Sequence, residues 1–101
     1  MVDRDSFESE VKRVIRGLRS GEVASYGEIA EEAGSPRAAR AVGNILGRSD
    51  GLPWWRVVRA DGSLVSPKDD EQARRLRAEG VEVVNGKVTR GKQSRSENSN
   101  E

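Results

Sequence analysis

Phe7, Val11, Val14, Ile15 and Leu18 recur every three or four positions with charged residues between them, which predicts an amphipathic helix over residues 5–19. Ser20-Gly21 ends it. Ser25-Tyr26-Gly27-Glu28 has the Ser-x-x-Glu spacing of a capping box and opens a second helix over residues 26–33, stopped by Gly34. Ser35 then caps a third helix that has Pro36 at its first position, where a missing N–H costs nothing. Two short helices joined by Gly34-Ser35 form a helix-turn-helix pattern. Further on, Arg56-Val57-Val58-Arg59, the turn Ala60-Asp61-Gly62 and Ser63-Leu64-Val65 predict a β-hairpin. Ser66-Pro67 resembles another helix start, residues 72–79 are helical, and Gly80 stops them. Val81 to Val84, Asn85-Gly86 and Lys87-Val88 predict a second hairpin with a favoured Asn-Gly turn.

The order α-α-α-β-β-α-β-β describes a mainly α fold with small β-hairpins, a winged helix-turn-helix-like single domain. A chain of 101 residues has room for one such domain. Residues 91–101 contain no apolar residue and cannot bury enough surface to offset ordering entropy. The expectation is a folded domain over 1–90 and a disordered tail over 91–101.

The third helix has a distinct polar side. At about 100° per residue, Arg37, Arg40, Asn44 and Arg48 cluster on one side, while Ala38, Ala39, Val42, Ile45 and Leu46 occupy the opposite arc. Ala41, Gly43 and Gly47 flank the polar face with almost no bulk. Each helical glycine costs about 1 kcal/mol relative to alanine. Close approach of another backbone explains that cost, whether nucleic acid or, equally for Gly43, a packed neighbouring strand.

The net charge is only +1, but residues 37–68 carry six Lys/Arg against two Asp/Glu, whereas residues 1–36 carry five against eight. A local basic patch of this kind can meet phosphates. A solvated charged face has the same composition, so charge alone decides nothing. The chain has no cysteine and no histidine. That excludes disulfides, thiolate zinc sites and thiol nucleophiles, and removes the commonest general base. No cofactor or metal is expected. No stretch approaches a membrane span and no signal-peptide apolar region is visible, so a cytoplasmic monomer is the simplest expectation.

The run Gly51-Leu52-Pro53-Trp54-Trp55-Arg56-Val57-Val58 holds both tryptophans, half of the chain's four aromatic residues. Residues 26–80 resemble the DNA-binding domain of the O6-alkylguanine-DNA alkyltransferases. The matching blocks, in order, are Val23-x-Ser25-Tyr26-Gly27-Glu28-Ile29-Ala30, Ala39-Arg40-Ala41-Val42-Gly43, Pro53-x-x-Arg56-Val57-Val58, Asp61-Gly62 and Glu79-Gly80-Val81. The repair enzymes have Pro-Cys-His-Arg-Val in the third block, where cysteine accepts the alkyl group and histidine and glutamate activate it. Here those two positions are Trp54 and Trp55. Indole is a poor nucleophile at neutral pH, so the chemistry is lost. What remains is similar to the alkyltransferase-like proteins, whose more frequent motif is Pro-Trp-His-Arg-Val.

The resemblance implies a protein that binds O6-alkylguanine in double-stranded DNA, flips the base through the minor groove and flags it for nucleotide excision repair proteins. It implies Arg40 as the arginine finger that fills the vacated stack, and Tyr26 as the tyrosine against the phosphate of the rotated nucleotide. Ala41 and Gly43 would let the helix approach the groove. Pro53, Trp54, Trp55, Arg56 and Val65 would surround the extruded base, with residues 65–70 closing the pocket and Lys68 meeting either phosphate or base. For Tyr26 a packed aromatic is an equal alternative, for Arg56 a brace of the loop, and for either tryptophan a place in the core. Glu79 is expected to be structural. Two rival functions are a residual enzyme with another nucleophile and a winged-helix transcription regulator. The regulator is disfavoured because Ala41, Gly43 and Gly47 offer few base-reading groups.

Overall fold

The computed structural model describes residues 4–65, 68–90 and 92–93. Helices α1 (Arg4–Arg16), α2 (Tyr26–Glu32), α3 (Ala39–Gly47) and α4 (Asp69–Ala78) are accompanied by five short strands, in the order α1-β1-α2-α3-β2-α4-β3-β4-β5: β1 (Glu22–Ser25), β2 (Val57–Val58), β3 (Glu82–Val84), β4 (Lys87–Arg90) and β5 (Lys92–Gln93). A single 3₁₀ turn, Trp54–Arg56, precedes β2.

Strands β2, β1 and β5 form a parallel sheet in that order, with Ala24 opposite Val57 and Val23 opposite Gln93. Successive strand residues face opposite ways, and this small sheet uses both faces. Ala24 and Val57 join Val11, Ile15, Ile29, Val42 and Ile45 in a core built with α1, α2 and α3. Val23 and Val58 join Leu64, Leu76, Val81 and Val83 in a second core beneath α4 and the β3–β4 hairpin. The sheet therefore welds a helical half to a hairpin half, and the Trp54–Arg56 turn lies at that seam.

Much of the sequence reading holds. The Ser25 capping box is complete: its hydroxyl accepts from the Glu28 amide at 3.1 Å, and the Ser25 amide donates to Glu28 Oε1 at 2.8 Å. Gly34 and Gly80 end α2 and α4 at φ of +98° and +89°, where a side chain would be strained. The Asn85-Gly86 turn has positive φ at both positions and joins an antiparallel β3–β4 pair.

Four expectations change. The third helix starts at Ala39 rather than Pro36, because the Ala38 amide donates to Ser35 O and leaves Pro36 and Arg37 in a separate turn. The hairpin expected over residues 56–65 does not form. Val57 and Val58 are both buried, so β2 pairs in parallel with β1, the geometry of strands covered on two faces. The turn at residues 59–62 is nevertheless present, and residues 62–64 pair with residues 86–88 instead. The fourth helix begins at Asp69, one turn earlier than its apolar pattern shows; Ser66 and Pro67 lie outside the described residues. Finally, Lys92 and Gln93, expected in the tail, lie along the edge of β1. Backbone pairing there requires no apolar side chain. The rest of 91–101 lies outside the described residues.

Candidate nucleic-acid interface

On the outer side of α3 lies a cleft of about 600 Å³ lined by Tyr26, Ala39, Arg40, Gly43, Asn44, Arg59 and Val65. Tyr26 is the first residue of α2, fixed by the Ser25 cap, and is half-buried against the helical core. Burial pushes its phenol pKa up, partly countered by the Arg59 charge. Arg40 and Asn44 are exposed, and neither makes an ion pair or side-chain hydrogen bond among the described residues.

The glycines of α3 are not required by packing. A Cβ on Gly43 would meet Tyr26 Cε1 at 3.8 Å, an ordinary contact, and one on Gly47 would meet nothing within 4 Å. No strand presses on Gly43, so that alternative falls away. The low surface beside Arg40 is open to an outside backbone.

The remaining α3 residues divide. Arg37 is exposed in the preceding turn. Arg48 is tied to Glu8 of α1 at 2.8 Å, and Glu8 also holds Lys12 at 3.1 Å. Hydrogen bonds from Arg48 and then Lys12 hold the Glu8 carboxyl below its usual pKa. Ala41 is half-buried and shares with Phe7, Glu8, Asn44, Ile45 and Arg48 a second cleft, of about 580 Å³.

Buried Leu52 anchors the tryptophan loop, the Trp54 amide donates to Leu52 O at 2.7 Å, and the Arg56 amide donates to Pro53 O at 3.1 Å. This tight turn sends the two indoles in different directions, perpendicular at 89° with centroids 6.1 Å apart. Trp54 lies beneath Lys68, whose Nζ is 5.3 Å from the ring centroid. Trp55 faces inward: its Nε1–H donates to Glu79 Oε2 at 2.8 Å, and the Arg75 and Arg56 guanidiniums lie over its ring at 4.6 and 5.2 Å.

Glu79 is the hub of this knot. Arg56 grips its carboxylate through Nε at 3.0 and 3.2 Å and Nη2 at 2.6 Å, while Arg56 Nη1 donates to Leu18 O at 2.9 Å. The Gly21 amide adds a bond to Oε1 at 2.9 Å. Burial alone would raise the Glu79 pKa, but Arg56, Gly21 and Trp55 outweigh it and bring it from 4.5 down to about 2. With side-chain exposures of 16% and 13%, Arg56 and Glu79 form a brace joining the segment after α1, the tryptophan turn and the C-terminal end of α4.

Of the residues expected around an extruded base, Tyr26 and Val65 line the cleft, Trp54 and Lys68 stack together, and Trp55 and Arg56 join the scaffold. Pro53 supplies the carbonyl that starts the turn. Sequence reasoning missed Gln72, which is completely buried. Its Nε2 donates to Trp55 O at 3.2 Å and Val57 O at 2.9 Å, and its Oε1 accepts from the Val65 amide at 2.8 Å. One amide thus clamps the tryptophan turn to the Val65 segment. A glutamine four residues before Leu76, on the apolar side of its helix, was the available signal. Among the described residues no group of three or more acidic residues is placed to hold a metal, and no helix is long and apolar enough to cross a membrane.

Residues 6–81 match the family model described as 6-O-methylguanine DNA methyltransferase, DNA binding domain. The chain is 44% identical over 88 residues to a DNA base-flipping protein of Escherichia coli, a match covering 82% of this chain and 68% of the relative. Its fold superimposes on Schizosaccharomyces pombe Atl1, solved with damaged DNA containing O6-carboxymethylguanine. That match has a TM-score of 0.77 and 30% identity over 85% of this chain and 89% of the other. Mycobacterium tuberculosis OGT in complex with DNA matches at a TM-score of 0.66 and 34% identity, over 73% of this chain and 48% of the enzyme.

Proposed function

The chain belongs to the 6-O-methylguanine DNA methyltransferase DNA-binding-domain family, and from that premise we propose that it is a non-enzymatic reader of O6-alkylguanine in double-stranded DNA. The observation that carries the reading is the pair Trp54–Trp55 at the cysteine and histidine positions of the repair motif. Trp55 still hydrogen-bonds Glu79, so the frame around the site stands while the nucleophile is absent. The likeness to a base-flipping protein and to Atl1 bound to damaged DNA supports the same reading.

In this mechanism α3 approaches the minor groove along its low Gly43–Gly47 surface. Arg40, exposed and without an internal partner among the described residues, fills the space of the flipped nucleotide and stacks on its neighbours. Tyr26 lies against the phosphate of that nucleotide, while Arg37, Asn44 and Arg48 meet the flanking backbone. Trp54 offers a π surface to the extruded alkylguanine, with Lys68 above it. The bound complex then marks the lesion for nucleotide excision repair proteins, in the cytoplasm and on the nucleoid. A transcription regulator would need longer base-reading side chains than Ala41, Gly43 and Gly47.

The test is a titration of one duplex carrying guanine, O6-methylguanine or a bulkier O6-alkylguanine at a single site, with the protein and DNA weighed afterwards. Tighter binding to both alkylated duplexes, with the adduct intact and the protein mass unchanged, is expected. Equal affinity for all three, or a gain of one alkyl group on the protein, would overturn the reading.

A further inference from the structure

The two tryptophans are held very differently. The Trp54 side chain makes no hydrogen bond among the described residues; against it lie the perpendicular ring of Trp55 and the Lys68 ammonium. Trp55 is fixed by the 2.8 Å bond to Glu79, by two guanidiniums over its ring, and by the Gln72 amide on its carbonyl. Each of those partners is itself anchored. Arg56 spans Glu79 and Leu18 O, Arg75 bonds Glu71 at 3.0 Å, and Gln72 is completely buried.

We propose that Trp55 is a positioning residue for lesion recognition: its indole N–H, locked to Glu79, holds Trp54 perpendicular to it and so sets the wall against which the extruded base stacks. This rests on the lesion-reading proposal above. Perpendicular indoles attract because the positive edge of one meets the negative face of the other. An indole fixed in that arrangement before binding spares the complex the cost of ordering it. Undamaged DNA places no base against Trp54, so Trp55 acts on the preference for the lesion rather than on binding to DNA in general.

Trp55→Phe and Trp55→His each leave Trp54 as the sole tryptophan, the first without a donor for Glu79 and the second with one. Full-length proteins are titrated with O6-methylguanine and guanine duplexes, and Trp54 emission anisotropy is recorded without DNA. Trp55→Phe should lower the lesion preference about three- to tenfold while affinity for the guanine duplex stays within about twofold. Trp55→His should recover most of that preference and show the higher anisotropy. If Trp55→Phe does not unfold cooperatively, the benzothiophene analogue of tryptophan at position 55, equal in shape but without the N–H, takes its place. Full preference in the donorless protein overturns the proposal, as does an equal loss in the Phe and His proteins. If the wild type itself shows no preference, the lesion-reading proposal fails, and the anisotropy comparison alone decides whether Trp55 holds Trp54.

Discussion

Arg40 and Arg56 are the same residue type in two blocks of one family motif, and they occupy opposite circumstances. Arg56 is 16% exposed and spends its guanidinium on Glu79 and Leu18 O. Arg40 is exposed beside an open cleft, with no ion pair among the described residues. Trp55, Arg56 and Glu79 form a region whose polar groups satisfy one another. The outer face of α3 presents Arg40 and Asn44 with no ion pair or side-chain hydrogen bond among the described residues. Saturated groups hold geometry, whereas exposed unpaired ones are available to a ligand without a competing bond to break. The two regions should therefore respond to mutation in opposite currencies, one in stability and the other in binding.

The sharpest separation is expected at Glu79. Glu79→Ala leaves the Arg56 charge poorly solvated and unpaired, and should lower unfolding free energy by about 3 kcal/mol in a denaturant titration. Arg40→Ala should change it by no more than about 0.5 kcal/mol. pH gives an independent handle. The Glu79 pKa is depressed in the folded state, from 4.5 to about 2. Its contribution is therefore complete above pH 4.5 and lost as pH falls through 2. Over that window stability should drop by about 3 kcal/mol from this group, and Glu79→Gln should flatten the fall. Equal stability losses in Glu79→Ala and Arg40→Ala would erase the distinction between scaffold and instrument.

Binding should show the converse. Trp54→Ala removes the proposed base–aromatic contact and should weaken lesion binding by about 1–3 kcal/mol, leaving undamaged duplex nearly unaffected. Arg40→Ala should suppress flipping, reported by a fluorescent base analogue at the lesion, more than Arg48→Ala does. Equal flipping defects would reduce Arg40 to a phosphate contact, and an undiminished preference in folded Trp54→Ala would mean that Trp54 does not meet the base. Trp54→Cys should not transfer alkyl groups, because Trp55 stands at the histidine position and the chain has no histidine.

What the sequence disclosed follows the same divide. Local signals were legible: the Ser25–Glu28 cap, the Asn85-Gly86 turn, and the glycines at positive φ that stop α2 and α4. The basic face of α3 was legible too, because helical periodicity alone sorts Val42 and Ile45 from Arg40 and Asn44. Non-local pairings were not. Val23-Ala24 and Val57-Val58 are two-residue apolar doublets, too short to show a period, and only their mutual pairing makes them strands. The Glu79 brace joins residues 18, 21, 55, 56 and 79, so it has no local pattern, and Gln72 resembled an ordinary polar helix residue until its three bonds were seen. The family resemblance supplied Arg56 and Glu79 as motif positions, with a brace as one reading of Arg56 and a structural role expected for Glu79, and the geometry supplied their partners.

The smallest effect tests the border between the two regions, at Arg48. It caps α3 beside the proposed binding face yet is held by Glu8, an exposed link that solvent screens. Binding of a polyanion to this face should fall with salt at a log–log slope of about −0.9 per phosphate contact. Arg37→Ala, which removes a charge without an ion pair among the described residues, should reduce that slope by about one contact. Arg48→Ala should reduce it by less than half as much, because Glu8 already neutralises that charge. Glu8→Gln would release Arg48 and should raise affinity about twofold for lesion and undamaged duplexes alike, since phosphate contacts carry no lesion information. If Arg48→Ala flattens the salt dependence as much as Arg37→Ala, the Glu8 link opens freely on DNA. An internal partner would then mark scaffold only where, as at Glu79, the pair is shielded from water.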